Sequence, residues 1–217
     1  MKDAKSFNLK GYMFDFDGTL VDSMPHWAQA MLNVLNNANA HYPADIIKTI
    51  TPMGLFSTCR YLHEEFGVGA TADDVVKMVD AELFPQYSEN ILIKPFVKEK
   101  LTELKAAGKS VNVLTASPHR WVDPCLKKNG VFDLFDFVWT YEDFKTPKTN
   151  PATYVEAAAR LNIPLKECSF LDDNIVACIA AKKSGIITGG VYDITSAPKC
   201  EWQNGACDFY IESFKEL

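Results

Sequence analysis

Short apolar runs alternate with helical stripes of apolar residues along the chain after residue 95. A short apolar run bounded by turn residues is typical of a buried strand, and apolar residues three or four positions apart are typical of a helix. This pattern predicts strands at residues 110–114, 135–139, 169–171 and 186–192, with a last apolar stretch at 209–211. It predicts helices at residues 96–107, 118–129, 151–161 and 175–183. Strands that alternate with helices in this way indicate a parallel sheet covered on both faces.

One more strand is predicted near the start of the chain, at residues 12–16, and a helical region separates it from the others. A single short strand cannot stand alone beside helices, so we expect it to join the sheet. The predicted fold class is therefore α/β: a doubly wound, Rossmann-like parallel sheet with a helical cap inserted after the first strand. The catalytic core would comprise residues 1–22 and 91–217, and the cap domain residues 23–90.

Length and charge limit the classes of partner. The chain has 217 residues and a formal net charge of −6, and it contains no basic run. These features argue against nucleic acid and anionic membranes as partners. No apolar run approaches the length of about 18 residues that a membrane-spanning helix needs. We therefore expect no nucleic-acid or membrane partner, and a monomer or weak homodimer.

The six cysteines and the N-terminal residues bear on the location of the protein. No two cysteines form a CxxC pair, and no histidine pattern accompanies them as it does in zinc sites. We expect reduced thiols, as is usual in the cytosol. No apolar segment of the kind found in signal peptides precedes the first strand. The expected location is therefore cytoplasmic.

Polar residues suited to chemistry follow several of the predicted strands. In an open parallel sheet, ligands bind beyond the carboxyl ends of the strands. Each of these residues alone has an ordinary structural interpretation, such as an Asp-Gly turn, a helix cap or a solvated lysine. Because they occur together, each near the carboxyl end of a predicted strand, we favour a functional site. The set comprises Asp15, Asp17, Thr115, Ala116, Ser117, Lys148, Asp172 and Asp173.

This combination of side chains predicts phosphoryl transfer. Four carboxylates in one cleft repel one another, and a divalent cation relieves this repulsion. A site of oxygen ligands that is not fully closed suits Mg²⁺, because Mg²⁺ also binds waters and substrate phosphate at its other coordination positions. A lysine and a hydroxyl can neutralise and hydrogen-bond the remaining phosphate oxygens. One carboxylate can act as nucleophile, and a second can protonate the leaving oxygen and later activate water. The expected cofactor is therefore Mg²⁺.

Four segments match, in the same order, the motifs of a known family. Residues 15–20, DFDGTL, correspond to a first motif DxDGT[LV], and Thr115 fits a second motif at a strand end. Residues 148–154, KTNPATY, correspond to a third motif, and residues 170–173, FLDD, to a fourth. The sequence thereby resembles the haloacid dehalogenase superfamily over essentially its whole length. The resemblance is to the capped branch of phosphoglycolate phosphatases and β-phosphoglucomutases.

The resemblance implies catalytic roles for the matching residues. Asp15 would be the nucleophile, and Asp17 the general acid/base. Thr115, with a following backbone N–H, and Lys148 would hold the phosphoryl group. Lys145 is a rival for the lysine, because the third motif often reads Lys-Pro, but the spacing to the following proline and tyrosine favours Lys148.

The resemblance also implies the metal ligands. Asp15 and Asp173 would bind the metal through their side chains, Asp17 through its backbone carbonyl, and Asp172 as a ligand or a support. The residues expected to contact the substrate are Gly18, Thr19, Ala116, Ser117 and His26, the last because it lies where the cap begins.

We expect a Mg²⁺-dependent phosphohydrolase that acts on a small phosphorylated metabolite through an aspartyl-phosphate intermediate. A non-enzymatic phospho-receiver module is an alternative from another class, since it also uses an acidic pair, an aspartate, a hydroxyl and a lysine. In receivers, however, the acidic pair follows the first strand, whereas residues 172–173 follow a late one. Hydrolysis is therefore favoured.

A sugar-phosphate mutase is the alternative within the same family, and the cap bears on it. Relatives of that kind commonly carry basic cap residues that hold a second phosphate. In the corresponding stretch, residues 52–60, the only basic residue is Arg60 at its end. Hydrolysis is again favoured. Two interpretations are open for Met53, Leu55 and Phe56, which either line an apolar surface of the cap or fill its core. The core is favoured.

Overall fold

The computed structural model describes the backbone of residues 1–217 and the side chains of all of them except Pro52. Within this described chain, the strands of one sheet are β1 (Gly11–Phe14), β2 (Ser110–Leu114), β3 (Phe137–Trp139), β4 (Cys168–Asp172), β5 (Ile187–Val191) and β6 (Phe209–Ile211). Their order is β3-β2-β1-β4-β5-β6, and every neighbouring pair is parallel. This order is that of a Rossmann-like, doubly wound sheet. The predicted fold class is confirmed.

The strand order reverses at β1, which pairs with β2 on one side and with β4 on the other. In doubly wound sheets, such a reversal opens a crevice at the carboxyl ends of the strands, and ligands bind there. The residues that follow β1 and β4 therefore have the favoured position for chemistry.

The described chain divides into two compact units, an α/β unit of Met1–Asp22 and Leu92–Leu217, and a helical insert of Ser23–Ile91. The helices are α1 (Met24–Asn37), α2 (Ile46–Ile50), α3 (Leu55–Phe66), α4 (Ala72–Pro85), α5 (Val97–Ala106), α6 (His119–Lys128), α7 (Pro151–Leu161), α8 (Ile175–Ser184) and α9 (Lys199–Trp202). Among the described residues, none of these helices has the length and apolar character that crossing a membrane requires.

The α/β unit buries an apolar core between the sheet and its helices. On one face, Tyr154 and Ala157 of α7 and Ala181 of α8 pack against Phe170 of β4. The Tyr154 and Phe170 rings lie 4.8 Å apart between centroids. This packing fixes α7 and α8 against β4, and the loops at the starts of both helices therefore have defined positions at the sheet edge.

The helical insert packs α3 and α1 against α4. Phe56 was expected to fill the core of this unit, but its side chain is 50% exposed. The helix α3 buries Thr58, Cys59 and Leu62, and Leu62 lies four and three positions after the other two. Phe56 lies outside this buried face, so the prediction that it fills the core is wrong. Met53 and Leu55 are half-buried rather than buried.

Some predicted strands are shorter in the structure, because turns begin earlier than the apolar pattern suggests. The first strand ends at Phe14 rather than at Phe16, since the Phe16 carbonyl accepts hydrogen bonds from the N–H groups of Leu20 and Val21. The third begins at Phe137, after a 3-10 turn closed by the hydrogen bond from the Phe135 N–H to the Phe132 carbonyl. The turn after β1 carries the chain away from the sheet.

Candidate active site

The adjacent strands β1 and β4 bring three aspartates together. The Asp15 N–H donates to the Leu171 carbonyl at 2.8 Å, which extends the pairing of these strands by one residue. Asp15, Asp172 and Asp173 are buried, and each offers a carboxylate oxygen that lies within 4.8 Å of the others. Side chains from two separate segments therefore form one acidic cluster.

Lys148 spans two members of this cluster. Its ammonium group lies 2.6 Å from Asp15 Oδ1 and 2.8 Å from Asp172 Oδ2. Burial alone would lower the pKa of Lys148, but the charges of Asp15 and Asp172 outweigh it and raise that pKa well above its ordinary value. The buried Tyr154 hydroxyl donates to the Lys148 carbonyl at 2.7 Å and so holds the backbone of this lysine in place. The rival lysine, Lys145, is exposed.

The carboxylates of the acidic cluster repel one another. Burial raises the pKa of Asp172, and the charge of Asp15 raises it further, although Lys148 opposes both effects. Burial likewise raises the pKa of Asp173, together with the charges of Asp172 and Asp15. A cation would relieve this repulsion, and a donor set made of carboxylate oxygens suits a hard divalent ion such as Mg²⁺. The residues present therefore fit a metal.

Gly18 and Thr19, both expected to contact the substrate, both contact Asp173 in the folded chain. The buried Thr19 hydroxyl donates to Asp173 Oδ1 at 3.1 Å and accepts from the Asp173 N–H at 3.0 Å. Gly18 has φ +70°, and a Cβ atom at this position would lie 2.5 Å from Asp173 Oδ2. The Gly18 N–H donates to the Val21 carbonyl at 3.1 Å. We therefore interpret these two residues as supports of Asp173.

Asp17 contacts the loop that follows β2. The Ser117 hydroxyl donates to Asp17 Oδ2 at 2.5 Å, and the Ser117 N–H donates to Thr115 Oγ1 at 3.1 Å. The Thr115 N–H extends the pairing of β2 with β3 by donating to the Trp139 carbonyl at 3.0 Å. The loop residues 115–117 are thus fixed at the same edge of the sheet as Asp17. Ser117 was among the predicted site residues, but its bond to Asp17 was not predicted.

Two further residues were expected to contact the substrate, Ala116 and His26. Ala116 is exposed between Thr115 and Ser117. His26 lies at the start of α1 in the helical insert, where its Nδ1 lies 3.1 Å from Gln86 Oε1. The substrate contacts predicted for Ala116 and His26 stay predictions.

One ion pair of the α/β unit was not predicted from the sequence. The Lys94 ammonium lies 2.8 Å from Asp193 Oδ2, and the side chains of these residues are 14% and 2% exposed. Lys94 also donates to the carbonyls of Gly18 and Tyr192. Nothing in the spacing or composition around either residue suggested this pair, since the partners are about a hundred positions apart.

Together, these groups supply the parts that phosphoryl transfer needs. Asp15 is a carboxylate poised beside a lysine and an acidic pair, and Asp17 is a second carboxylate in a separate hydrogen-bonded position. A loop with a buried threonine hydroxyl lies at the same sheet edge. A nucleophile, an acid/base and cationic stabilisation of phosphate oxygens can all come from residues at this edge.

Sequence comparison finds related proteins. The profile of the family described as haloacid dehalogenase-like hydrolase matches residues 12–191. A phosphoglycolate phosphatase of Psychrobacter arcticus is 29% identical over 187 residues, which cover 82% of this chain and 81% of that protein. The pyrophosphatase PpaX of Bacillus velezensis is 30% identical over 187 residues with the same two coverages.

Structural comparison agrees on the fold. The crystal structure of CbbY from Rhodobacter sphaeroides in complex with phosphate superposes with a TM-score of 0.82, over 96% of this chain and 96% of that one. The two sequences are 20% identical.

Proposed function

Because the chain belongs to the haloacid dehalogenase-like hydrolases, in their capped phosphatase and phosphomutase branch, we propose that it is a Mg²⁺-dependent phosphohydrolase. Its substrate is a small phosphorylated metabolite, and the reaction passes through an aspartyl phosphate on Asp15. The observation that carries this proposal is the Lys148 ammonium, 2.6 Å from Asp15 Oδ1 and 2.8 Å from Asp172 Oδ2, beside the buried Asp173.

The metal ligands would be Asp15, Asp172 and Asp173, with the backbone carbonyl of Asp17. When bound, Mg²⁺ offsets the charge of the carboxylates and of the phosphoryl group under transfer. Thr19 and Gly18 support this arrangement, because their contacts hold the Asp173 side chain in place.

In the first half-reaction, Asp15 attacks the phosphorus atom through a carboxylate oxygen. A bond forms between that oxygen and phosphorus, and the bond from phosphorus to the leaving oxygen breaks. Lys148 and the Thr115 hydroxyl stabilise the charge on the other phosphoryl oxygens. Asp17, in its acid form, gives a proton to the leaving oxygen, so that the product departs as an alcohol.

In the second half-reaction, the Asp17 carboxylate takes a proton from a water molecule. The water oxygen bonds to phosphorus, the bond from phosphorus to Asp15 breaks, and inorganic phosphate leaves. Asp17 thereby recovers its proton and Asp15 its free carboxylate. The hydrogen bond from Ser117 to Asp17 Oδ2 keeps the acid/base carboxyl in a defined position between the two steps.

Hydrolysis is favoured over transfer to a second sugar hydroxyl. The relatives named above carry the names of a phosphoglycolate phosphatase and a pyrophosphatase, both hydrolases. A phospho-receiver module is no longer an alternative, because the chain belongs to a family of hydrolases.

The direct test is turnover of p-nitrophenyl phosphate with Mg²⁺, with and without excess EDTA. We expect turnover that EDTA abolishes and Mg²⁺ restores. The variant Asp15→Asn should lose activity by about 10⁴-fold or more, as is typical when a catalytic nucleophile is removed. Its matched control is Asp22→Asn, an exposed aspartate of the same segment, which should keep normal activity. Full activity in Asp15→Asn, or after exhaustive chelation, would contradict the proposal.

A further inference from the structure

Lys94 occupies an unusual position for a lysine, because its ammonium lies inside the α/β unit among oxygen atoms. Its side chain is 14% exposed. It donates to the Asp193 carboxylate at 2.8 Å, to the Tyr192 carbonyl at 2.8 Å and to the Gly18 carbonyl. An ammonium with one carboxylate and two carbonyl partners has all three of its donors satisfied. The lysine is therefore fixed in place.

The three partners of Lys94 come from different parts of the chain. Gly18 lies in the turn after β1, and Tyr192 and Asp193 directly follow β5. Lys94 itself lies where the chain returns from the helical insert, and its N–H donates to the Leu20 carbonyl at 2.9 Å. One cation thus joins the turn after β1, the returning segment and the end of β5.

The Gly18 peptide links Lys94 to the acidic cluster. Gly18 packs so closely on Asp173 that an added Cβ would lie 2.5 Å from Asp173 Oδ2. Any shift of this turn therefore changes the space available to the Asp173 carboxylate. Thr19, the next residue, makes two hydrogen bonds to Asp173. The position of the turn and the position of the carboxylate are mechanically coupled.

Lys94 compensates a buried charge, because the Asp193 carboxylate is 2% exposed and lies 2.8 Å from the ammonium. The ion pair also prevents Asp193 from adding an uncompensated charge to the acidic cluster. Replacement of Lys94 by a neutral residue would leave the charge of the buried Asp193 carboxylate uncompensated.

We propose that Lys94 is a positioning residue, a resident cation that holds the Gly18-Thr19 turn against Asp173 and so prepares this carboxylate for Mg²⁺. The inference rests on the proposed function, because it assumes that Asp173 is a metal ligand. Lys94 acts on Asp173 through the turn. Supporting contacts of this kind typically change metal affinity by about 10–100-fold.

The test is calorimetric titration of Mg²⁺ into the intact protein, without substrate. For Lys94→Met we expect a dissociation constant about tenfold higher or more. The matched control is Lys100→Met, because Lys100 is similarly buried, with a side chain 8% exposed, but pairs with Glu103 on α5. We expect Mg²⁺ binding of this control to match the wild type.

Chemical rescue separates positioning from general stability. In Lys94→Ala, added propylammonium can restore the missing cation, whereas tetramethylammonium at equal ionic strength cannot donate hydrogen bonds. We expect propylammonium alone to recover the Mg²⁺ affinity. Equal Mg²⁺ binding in Lys94→Met and the wild type would overturn the inference. Equal effects of the two ammonium ions on the Mg²⁺ affinity of Lys94→Ala would overturn it as well.

A second variant keeps the inference testable if the Lys94 variants do not fold. Asp193→Asn keeps the shape of the pair but removes the counter-ion that holds the ammonium, and we expect it to weaken Mg²⁺ binding as well. Unchanged binding in a folded Asp193→Asn would overturn the inference. Failure of the proposed function has a different signature: the wild type itself would bind no Mg²⁺, or Asp173→Asn would bind it normally.

Discussion

The α/β unit and the helical insert bury different kinds of side chain. In the described part of the helical insert, the buried polar residues are Ser23 and Thr58, and neither carries a charge. The buried charged residues of the described α/β unit are Asp15, Lys100, Asp172, Asp173 and Asp193. All of these except Lys100 directly follow or end β1, β4 or β5.

This difference shows where the chain accepts unfavourable electrostatics. Charges buried close to one another cost free energy unless a partner compensates them. The helical insert avoids that cost by packing the apolar stripes of its helices. The α/β unit accepts it at one sheet edge, where two lysines, Lys94 and Lys148, lie among four carboxylates. Such clusters of perturbed groups are typical of catalytic sites.

Among the variants that compare the two units, Lys148→Met should have the largest effect. Loss of the ammonium removes stabilisation of the phosphoryl charge, so turnover should fall by about 10³-fold. It also leaves Asp15 and Asp172 uncompensated, so in metal-free buffer the free energy of unfolding should fall by about 3–5 kcal/mol. Turnover of p-nitrophenyl phosphate and urea denaturation measure the two effects. The exposed Lys145→Met is the control, and an equal loss in both variants would argue against a special role for Lys148.

A smaller effect distinguishes two fully buried threonines, one in each unit. Thr19 bonds to Asp173, and Thr58 of the helical insert bonds to the Ile50 carbonyl at 3.2 Å. Thr19→Val should weaken Mg²⁺ binding by about tenfold, because it removes a support of a metal ligand. Thr58→Val should lower the free energy of unfolding by about 1 kcal/mol and leave Mg²⁺ binding unchanged. Calorimetric titration measures the Mg²⁺ affinity of both variants, and urea denaturation measures their free energy of unfolding. Equal Mg²⁺ affinities of the two variants would contradict a supporting role for Thr19.

The smallest effect concerns His119, at the start of α6 in the α/β unit. Burial alone would lower the pKa of His119, but its hydrogen bonds to Asp123 and Asp143 outweigh burial and raise that pKa. A raised pKa in the folded state means that the protonated ring stabilises the fold below its ordinary pKa, about 6.5, and that this contribution is lost as pH rises through the folded pKa.

We therefore expect His119→Gln to destabilise the protein most below about pH 6.5. Because the ring is more than a third exposed, the difference in free energy of unfolding should stay under about 1 kcal/mol. Urea denaturation of both proteins from pH 5.5 to 8.5 measures this difference. A difference that grows with pH would contradict the assignment.

Local sequence patterns account for most of the fold that could be predicted. The helix at residues 151–161 is confirmed as Pro151–Leu161, and the Asn150 side chain caps it by accepting from the Ala152 N–H. The strand at residues 110–114 is likewise confirmed. The predicted family and its phosphatase branch are confirmed by the profile match and the relatives. These features follow from residues close together in the chain or from motifs in a fixed order.

Contacts between distant residues could not be predicted in the same way. The bond from Ser117 to Asp17 joins residues 100 positions apart, and the pair of Lys94 and Asp193 gives no periodic signal. Both depend on how strand ends meet in the folded sheet. The exposure of Phe56 depends on the rotation of α3 about its axis, which a short apolar segment does not fix. The sequence selected the types of group in the site but not their partners.

The most direct measurement is chemical trapping of the phosphorylated aspartate during turnover. The protein is incubated with Mg²⁺ and p-nitrophenyl phosphate and quenched with borohydride, which reduces an acyl phosphate of aspartate to homoserine. Peptide mass spectrometry then locates the reduced residue. We expect homoserine at position 15 in the wild type only when substrate is present, and none in Asp15→Asn. Homoserine at another aspartate, or none at Asp15 under conditions of rapid turnover, would contradict Asp15 as the nucleophile.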